Sequence, residues 1–425
     1  MVNPKRGLVL GATALVLTTV AVTGAGLHLS SQASFNDAPK ELVDEVWQII
    51  NRQYVDATFN QVDWREVRNE YLNKTYNDKE EAYEAIREML SQLEDPYTRF
   101  MNPEEFKSMQ IDTSGELTGV GIQIAKDEET DRLIVISPIE DSPAFSAGIL
   151  AKDIITQIDG KDTKGMDVND AVKLIRGEEG TNVTLTIQRG DEEIDYPIVR
   201  ARIEIHPVRA RTEQSDGGEI GYIRLNQFSA NAAKEMRDAI KEFEQGNVTG
   251  YVLDLRSNPG GLLYSSIEIA RMWLQEGTIV STVNRQGELD RQAANNRSLT
   301  DKPLVILVDG GSASASEILS GALQDNDRAV LVGTQTFGKG LVQSVRSLGD
   351  GSGLAVTIAK YLTPSGRDIN KEGIPPDVVF ELSEEQRKEL QRDRARIGTN
   401  EDPQFVKALE ILDREISQAN RSASQ

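Results

Sequence analysis

The chain contains the segment Leu304-Val-Ile-Leu-Val-Asp-Gly-Gly-Ser-Ala-Ser-Ala-Ser-Glu317, in which an apolar run is followed by small residues. The run predicts a buried strand, and residues 314–324 predict the helix that follows it. Small residues at such a turn let a side chain project where free backbone N–H groups and the helix dipole stabilise negative charge. Ser312, Ser314 and Ser316 therefore compete as nucleophiles, although helix capping is the plainer role for all three.

Around this segment, apolar strands and amphipathic helices alternate from Glu219 onward. This order predicts a sheet of parallel strands covered by helices. The predicted strands span residues 220–225, 251–255, 278–283, 304–308 and 329–332, and the helices span 230–243, 265–274 and 314–324.

The preceding part of the chain shows two other patterns. From about Gly115 apolar residues alternate, with one helix near residues 168–175, which predicts a small β-rich domain in the form of a partly open barrel. From Glu41 to about Leu93 apolar residues recur every three or four positions, which predicts helices. Within them, Asn77 and Glu80 resemble a capping box.

Together these patterns predict an α+β multidomain protein. The charged tail from Ser383 is helix-prone. The predicted units are residues 1–33 (targeting segment), 34–105 (helical), 106–200 (β-rich), 201–382 (α/β) and 383–425 (helical).

A serine nucleophile needs a base, and the chain has only two histidines, His28 and His206. His206 lies in an extended stretch at a predicted domain junction, where a structural histidine is the more ordinary role. Lys339, in Thr336-Phe-Gly-Lys-Gly-Leu-Val342, is the other candidate. A lysine acts as a base only when neutral, so burial must lower its pKa from about 10.4 towards about 7–8. Gln343 can hold such an amine in place without charging it.

Glycine-rich turns offer further candidate groups. Asp254-Leu-Arg-Ser-Asn-Pro-Gly-Gly261 ends an apolar strand, and its glycines allow a backbone N–H to face a carbonyl oxygen, although a plain turn has the same sequence. Residues 333–340 are similar to a phosphate-binding loop, but Gly340 stands where a magnesium-binding serine or threonine is required, and a strand-like pattern follows. Nucleotide binding is therefore disfavoured.

In the β-rich region, Gly119-Val120-Gly121-Ile122 precedes a predicted strand. Successive N–H groups of such a loop can bind a terminal carboxylate while the strand edge pairs with an incoming peptide. A structural glycine turn is the alternative explanation of the same residues.

Composition excludes several classes of function. The formal net charge of −21 disfavours binding to nucleic acid. The absence of cysteine excludes disulfide scaffolds, cysteine–zinc sites and thiol nucleophiles. Without an H-E-x-x-H motif or an acidic loop of metal-binding spacing, neither a metal nor another cofactor is predicted.

The amino terminus predicts export. Lys5 and Arg6 precede an uncharged apolar run from Gly7 to Leu27, which fits either a cleaved signal peptide or a retained membrane anchor. Ser31-Gln-Ala33 offers a small-x-small cleavage site.

In combination, these motifs resemble the carboxyl-terminal processing proteases, which are serine peptidases of the tail-specific type. The resemblance covers residues 41–380, and it is greatest to cyanobacterial and chloroplast members. The matching segments, in the family's order, are Leu93-Glu-Asp-Pro-Tyr97, Gly119–Ile122, Ser142-Pro-Ala144, Leu174-Ile-Arg-Gly177, Asp254–Gly261, Ser312–Glu317, Thr336–Gly340, Gln343, Thr363-Pro-Ser-Gly-Arg367 and Gly373-Ile-Pro-Pro-Asp377.

The resemblance implies an α/β protease core of the crotonase/ClpP-like type, a PDZ-like domain and dimerisation through the helical termini. It implies that Ser314 is the nucleophile and Lys339 the general base, 25 residues apart, with Gln343 orienting the lysine. The implied oxyanion donors are Gly260 and Ala315, with Gly261 as an alternative to Gly260. The peptide-binding loop is then formed by Gly119, Val120, Gly121 and Ile122. Arg176 falls near the position at which family members have an arginine that senses the state of the PDZ domain.

The leading hypothesis is therefore an exported endopeptidase of the periplasm or thylakoid lumen. It would bind the C-terminus of a protein substrate and cleave nearby, and the photosystem II reaction-centre precursor is one substrate class that the resemblance implies. The rival hypothesis is a membrane-tethered PDZ scaffold with an inactive protease body, and a weaker enzymatic rival uses His206 as the base.

Overall fold

A computed structural model describes residues 39–127, 131–139, 141–287 and 289–423. The predicted targeting segment lies outside these residues. Among the residues that the structure describes, no helix has both the length and the apolar character needed to cross a membrane.

The described chain begins with three helices that form one small helical layer. Asp78 caps the third helix by accepting a hydrogen bond from the Glu81 N–H, and Asn77 donates back to the Glu81 carboxylate. The predicted capping pair of Asn77 and Glu80 is therefore wrong by one residue, because aspartate accepts the amide hydrogen bond at this position. The helices are α1 (Pro39–Gln53), α2 (Trp64–Asn73) and α3 (Lys79–Ser91).

Three short elements connect this layer to the β-rich domain. Asn102 and Glu105 form a capping box at the start of the connecting helix, and Gly115 ends it with a φ of 75°. The connecting elements are β1 (Arg99–Met101), α4 (Pro103–Ser114) and β2 (Glu116–Gly119).

The β-rich domain contains an antiparallel sheet whose inward side chains form one apolar core, as the alternating pattern predicts. Its elements are β3 (Ile122–Asp127), β4 (Arg132–Pro138), α5 (Pro143–Ala147), β5 (Ile154–Ile158), β6 (Lys161–Asp162), α6 (Val168–Ile175), β7 (Asn182–Arg189) and β8 (Glu192–Val199). The main strand order is β3-β4-β5-β7-β8, so β3 lies at an edge. The chain leaves through β9 (Ala201–Glu204), which pairs with β2.

The second half of the chain forms an α/β core with two sheets. Its elements are β10 (Val208–Ser215), β11 (Gly218–Leu225), α7 (Ala232–Gln245), β12 (Tyr251–Asp254), α8 (Leu263–Trp273), β13 (Thr278–Asn284), β14 (Leu289–Ala293), β15 (Leu304–Val308), α9 (Ala315–Asp325), β16 (Val330–Gly333), β17 (Leu341–Ser347), β18 (Gly353–Leu362) and β19 (Val378–Val379).

The larger sheet of the core has the order β10-β11-β12-β15-β16-β19. All its pairings are parallel except that of β10 with β11, which confirms a parallel sheet built from the predicted strands at residues 220–225, 251–255, 304–308 and 329–332. The predicted strand at residues 278–283 is instead β13 of the antiparallel sheet. Strands β12 and β15 are buried along their whole length, because helices cover both faces of the sheet.

The second sheet is antiparallel and joins the core to the N-terminal layer. Its order is β1-β18-β13-β14, with β17 also paired to β18. Leu354 and Val356 of β18, with Leu348 of the turn before it, belong to the same apolar cluster as α1, α2 and α3. The N-terminal helices therefore pack on the sheet that carries β17 and β18.

The tail forms two helices joined by a 3-10 turn at Arg394–Arg396, namely α10 (Glu384–Arg392) and α11 (Pro403–Ala423). Phe405, Ala408 and Leu412 of α11 are completely buried against the larger sheet. The apolar face of α11 thus completes the core of its own chain.

Candidate active site

The candidate site lies where two neighbouring parallel strands end. Strands β12 and β15 are paired, so the loops after Asp254 and after Val308 emerge at the same edge of the sheet. The Asp309 Oδ1 atom accepts hydrogen bonds from the N–H groups of Ser257 (2.7 Å) and Gly311 (2.9 Å), which ties the two loops together.

The three candidate serines have different surroundings. Ser312 and Ser316 are completely buried, and their hydroxyl groups donate to the carbonyls of Leu255 (2.8 Å) and Asn258 (2.9 Å). Their hydroxyls therefore hold the loops in place. Ser314 instead stands at the start of α9 with φ 54° and ψ −110°, a conformation that a non-glycine residue adopts only under strain. Of the three, this makes Ser314 the best-suited nucleophile.

Glu317 links Ser314 to the loop that carries Lys339. Its carboxylate is completely buried, and its Oε2 atom accepts hydrogen bonds from the N–H groups of Ser314 (2.8 Å) and Lys339 (2.9 Å). Its Oε1 atom accepts from Thr336 Oγ1 (2.6 Å) and from the Gly338 N–H (2.7 Å). One side chain thus fixes the backbones of both candidate catalytic residues.

Within the part of the chain that the structure describes, the Lys339 amine has no carboxylate partner. Among the described residues, Nζ forms neither a hydrogen bond nor an ion pair, and it lies 4.7 Å from the centre of the Tyr97 ring. Burial is the largest influence on this group and lowers the pKa of Lys339 below its ordinary value. The positive charge of Arg99 lowers the pKa further, whereas Asp95 and Glu317 act in the opposite direction.

Gln343 lies on β17, at the level of Thr357 on β18. Its Nε2 atom donates to Thr357 Oγ1 across a long distance of 3.5 Å, and this is the hydrogen bond that the structure gives its side chain. The predicted contact with the Lys339 amine is not among the hydrogen bonds of the described residues.

Gly260 packs directly against Ser314 and Ala315. A Cβ atom added to Gly260 would lie 2.7 Å from the Ala313 carbonyl oxygen and 2.9 Å from the Ala315 nitrogen, and the residue has a φ of 100°. Glycine is therefore required for this close approach.

The backbone N–H groups near Ser314 differ in their availability as oxyanion donors. The Gly260 N–H donates to Asn258 Oδ1 at 2.9 Å. Within the described parts of the chain, the N–H groups of Ala315 and Gly261 have no acceptor.

His206 belongs to a different cluster. Its Nδ1 atom lies 2.8 Å from Glu235 Oε1, and one ligand atom each of Glu204, His206 and Glu235 lie within 4.8 Å of one another. The Glu235 carboxylate also accepts from Asn231 and from the Val208 N–H, so hydrogen bonding accounts for the arrangement. None of the hydrogen bonds in the described part of the chain joins His206 to a candidate serine.

The predicted peptide-binding loop lies between β2 and β3. The Val120 carbonyl accepts from the Ala144 N–H, and the Gly121 carbonyl accepts from the Ile139 N–H and Ser142 Oγ. The carbonyls of Val120 and Gly121 are thus used inside the domain. The loop opens onto the edge strand β3, and α6 lies alongside that strand.

Arg176 directly follows α6, the helix that lies alongside β3. Its Cγ atom is 3.8 Å from the position of a Cβ atom on Gly119, and its Nη1 atom is 3.5 Å from Ser108 Oγ on α4. Arg176 therefore stands between the predicted peptide-binding loop and α4, the helix that follows β1 and leads to β2.

Glu317 was not among the predicted site residues. The spacing Ser314-x-x-Glu317 is that of a capping box, and this signal pointed to the hydrogen bond from the Ser314 N–H to Glu317. The contacts of Glu317 with residues 336–339 required the tertiary structure.

The chain is similar to known proteins along nearly all its length. Residues 219–380 match the model of peptidase family S41, residues 134–189 match a PDZ domain, and residues 36–91 match the tricorn protease C1 domain.

Named relatives support the same assignment. The carboxyl-terminal-processing protease of Picosynechococcus sp. is 44% identical over 423 residues, which cover 99% of this chain and 100% of the relative. The chloroplastic carboxyl-terminal-processing peptidase 2 of Arabidopsis thaliana is 44% identical and covers 78% of this chain and 67% of its own.

A solved structure named photosystem II D1 C-terminal processing protease is 36% identical to this chain. Its TM-score is 0.58, and the match covers 87% of this chain and 99% of the other.

Proposed function

Because the chain belongs to peptidase family S41 and is a carboxyl-terminal-processing serine peptidase, we propose that it cleaves protein substrates near their C-termini with a Ser314/Lys339 dyad. The observation that carries this proposal is the shared Glu317 carboxylate, which holds the backbones of a strained serine and of a half-buried lysine whose amine has no hydrogen-bond or ion-pair partner within the described residues. The PDZ domain would bind the substrate's terminal carboxylate at Gly119–Ile122.

The proposed reaction assigns a role to each of these groups. Neutral Lys339 Nζ accepts the proton of Ser314 Oγ, which attacks the scissile carbonyl carbon. The oxyanion of the tetrahedral intermediate is stabilised by the Ala315 N–H and by Gly260, whose N–H would exchange Asn258 Oδ1 for the oxyanion, or by Gly261 in its place. The lysine ammonium gives its proton to the amine as the C–N bond breaks, which leaves the substrate's acyl group as an ester on Ser314 Oγ. Lys339 then deprotonates the water that attacks this ester, and it returns the proton to Ser314 Oγ as the acid product leaves.

Cleavage of an unfolded test protein with an apolar C-terminal tail tests this mechanism. Ser314→Ala and Lys339→Ala should each reduce kcat by at least about 1,000-fold. His206→Ala should cleave normally. Lys360→Ala is a matched control, because Lys360 is exposed on β18 and pairs with Asp368.

The same panel separates the rival functions. Tail binding without hydrolysis by the wild type would support the scaffold, and loss of cleavage in His206→Ala alone would support the histidine mechanism. Normal turnover by Lys339→Ala would refute the dyad.

The pH dependence provides a second test. Only neutral Lys339 accepts a proton, so kcat/KM should rise with pH through the pKa of Lys339. Because burial lowers this pKa, the midpoint of the rise should lie below the ordinary value of 10.5. A rate that still climbs steeply near 10.5 would contradict a buried lysine base.

We further propose that the protein is exported to the periplasm or thylakoid lumen, with residues 1–33 as a signal peptide or anchor. The apolar run at residues 7–27 and the cyanobacterial and chloroplast relatives support this location. The name of the structural relative suggests the D1 precursor of photosystem II as a candidate substrate. Cell fractionation and incubation with that precursor test these proposals.

Two regulatory features belong to the same proposal. Arg176 would respond to a bound C-terminus, since it lies beside Gly119 and reaches Ser108. A homodimer would have to use the exposed faces of the terminal helices, because their apolar faces pack inside the chain. Light scattering measures the oligomeric state, and Arg176→Ala should weaken activation by tailed substrate while leaving the melting temperature unchanged.

A further inference from the structure

The aromatic group next to Lys339 does not come from the protease core. Tyr97 lies between α3 and β1, in the N-terminal helical region, and the centre of its ring is 4.7 Å from Lys339 Nζ. Within the described residues, the Lys339 amine forms no hydrogen bond or ion pair, and it contacts the Tyr97 ring instead.

Hydrogen bonds hold the Tyr97 loop in a fixed conformation. The Asp95 carboxylate accepts from the Tyr97 N–H (3.0 Å) and from Thr98 Oγ1 (2.7 Å). Thr98 is buried, and its Oγ1 atom accepts the N–H of Thr357 on β18 at 3.0 Å. The ring therefore stands on a loop that is anchored to the core.

Strand β18 connects this loop to the lysine. It pairs with β1 on one side, at Arg99 and Ala355, and with β17 on the other, where Gln343 faces Thr357. Thr357 thus contacts the Tyr97 loop through its N–H and Gln343 through its hydroxyl. The geometry of the Lys339 surroundings depends on both strands.

Charged groups from three neighbouring segments act on the Lys339 amine. Burial, followed by Arg99 on β1, lowers the pKa of Lys339, whereas Asp95 in the Tyr97 loop and Glu317 on α9 act in the opposite direction. The Tyr97 phenol stays neutral, because burial, followed by Asp95 and Glu317, raises its pKa. The neutral ring carries no formal negative charge. Its face attracts an ammonium modestly, and its exclusion of water favours the neutral amine.

We propose that Tyr97 is a positioning residue for the Lys339 base. Its ring shields one side of Nζ from water and fixes the direction of the amine, so the N-terminal helical region completes the active site. This proposal rests on the proposed role of Lys339.

Three variants test it on a tailed protein substrate, with kcat, KM and the acid limb of the pH–rate profile as readouts. Tyr97→Ala lets water reach Nζ and should raise the pKa of Lys339, which moves the acid limb to higher pH. At a pH below the limb, kcat should fall by about tenfold or more, with KM within about twofold. Tyr97→Phe keeps the ring and should retain the wild-type limb.

Tyr76→Ala is the matched control. Tyr76 is a partly buried tyrosine of the same helical region, and its hydroxyl donates to the Tyr71 carbonyl. The control should lower the melting temperature without moving the acid limb, which distinguishes positioning from a general loss of stability.

The outcomes separate this inference from the proposed function. Normal cleavage by Lys339→Ala would refute the dyad itself. If Lys339→Ala is inactive while Tyr97→Ala keeps the wild-type limb and kcat, the positioning role alone is wrong. If Tyr97→Ala does not fold, Tyr97→Phe decides, because a shifted limb in this variant overturns a role for the ring and an unchanged limb supports it.

Discussion

Glu317 is a buried carboxylate that is stabilised by hydrogen bonds from neutral donors. An unpaired buried charge is costly, but here two acceptor atoms each receive two hydrogen bonds from the residues around them. Because these donors include the Ser314 N–H, the carboxylate also supports the strained backbone at Ser314. The backbone conformations of Ser314, the proposed nucleophile, and of the Lys339 loop therefore depend on the same carboxylate.

We expect Glu317→Gln to damage both activity and stability. The amide nitrogen donates but cannot accept, so it would leave two buried donors unsatisfied. At about 1–3 kcal/mol for each unsatisfied group, the free energy of unfolding should fall by about 2–5 kcal/mol. Misplacement of Ser314 and Lys339 should reduce kcat by about 100-fold or more.

Urea unfolding and steady-state cleavage measure these effects. Glu372→Gln is the control, because Glu372 is an exposed glutamate beside the same loop. Full activity in Glu317→Gln would show that the site does not need this carboxylate.

Lys339 should make the protein less stable at neutral pH than a neutral side chain would. Its pKa is lowered in the folded state, so between that value and 10.5 the unfolded chain binds more protons and stability rises with pH. Lys339→Met should therefore be inactive but more stable at pH 7, by about 1 kcal/mol, and this gain should shrink as the pH approaches 10.5.

Urea unfolding at several pH values checks this prediction, with exposed Lys360→Met as the control. A Lys339→Met variant that is less stable than the wild type at pH 7 would contradict it.

At the scale of elements, α11 should be as important for stability as any helix of the core. Phe405 is completely buried and makes an edge-to-face contact with Tyr222, whose hydroxyl donates to Asp254 at the end of β12. Phe405→Ala should lower the free energy of unfolding by about 3–5 kcal/mol. Ser417→Ala, on the exposed face of the same helix, should change it by less than about 0.5 kcal/mol. Thermal and urea unfolding compare the two, and equal stability would show that α11 is not part of the folding unit.

Most elements were predictable wherever one periodicity dominated. Residues 168–175 and 304–308 coincide with α6 and β15, because a helix with one apolar face and a completely buried strand each leave a clear pattern. Strands β10 and β18 were missed. Strand β10 is largely exposed and carries charged residues, whereas β18 is apolar on both faces and packs between the helical layer and the core.

At the scale of the whole molecule, the sequence motifs named Ser314 and Lys339, but the surroundings of the site depend on distant segments. Tyr97 and Asp95 come from the N-terminal region, and their nearness to Lys339 depends on the pairing of β1 with β18. Local sequence spacing carries no information on such a pairing. The hydrogen bond from the Gly260 N–H to Asn258 Oδ1 likewise depends on the conformation of the turn, which the presence of glycines does not specify.

We expect the enzyme to recognise the C-terminal tail of a substrate by its terminal carboxylate. A substitution at Gly121 tests this expectation. It has a φ of 81°, and an added Cβ atom would lie 2.2 Å from Ser142 Cβ, so Gly121→Ala must displace the predicted peptide-binding loop. We expect KM for a tailed substrate to rise by about tenfold or more, and the wild type should show a similar loss when the tail is amidated.

Gly148→Ala is the control for backbone strain, because Gly148 has a φ of 87° but open space around its Cα. This variant should lose about 1–2 kcal/mol of stability and keep its KM. The amidated tail then gives the deciding comparison: if Gly121→Ala distinguishes free from amidated tails as strongly as the wild type does, the carboxylate binds elsewhere. If the variant treats both tails alike while the wild type prefers the free one, the loop at Gly119–Ile122 is the point at which the PDZ domain selects substrates for the dyad.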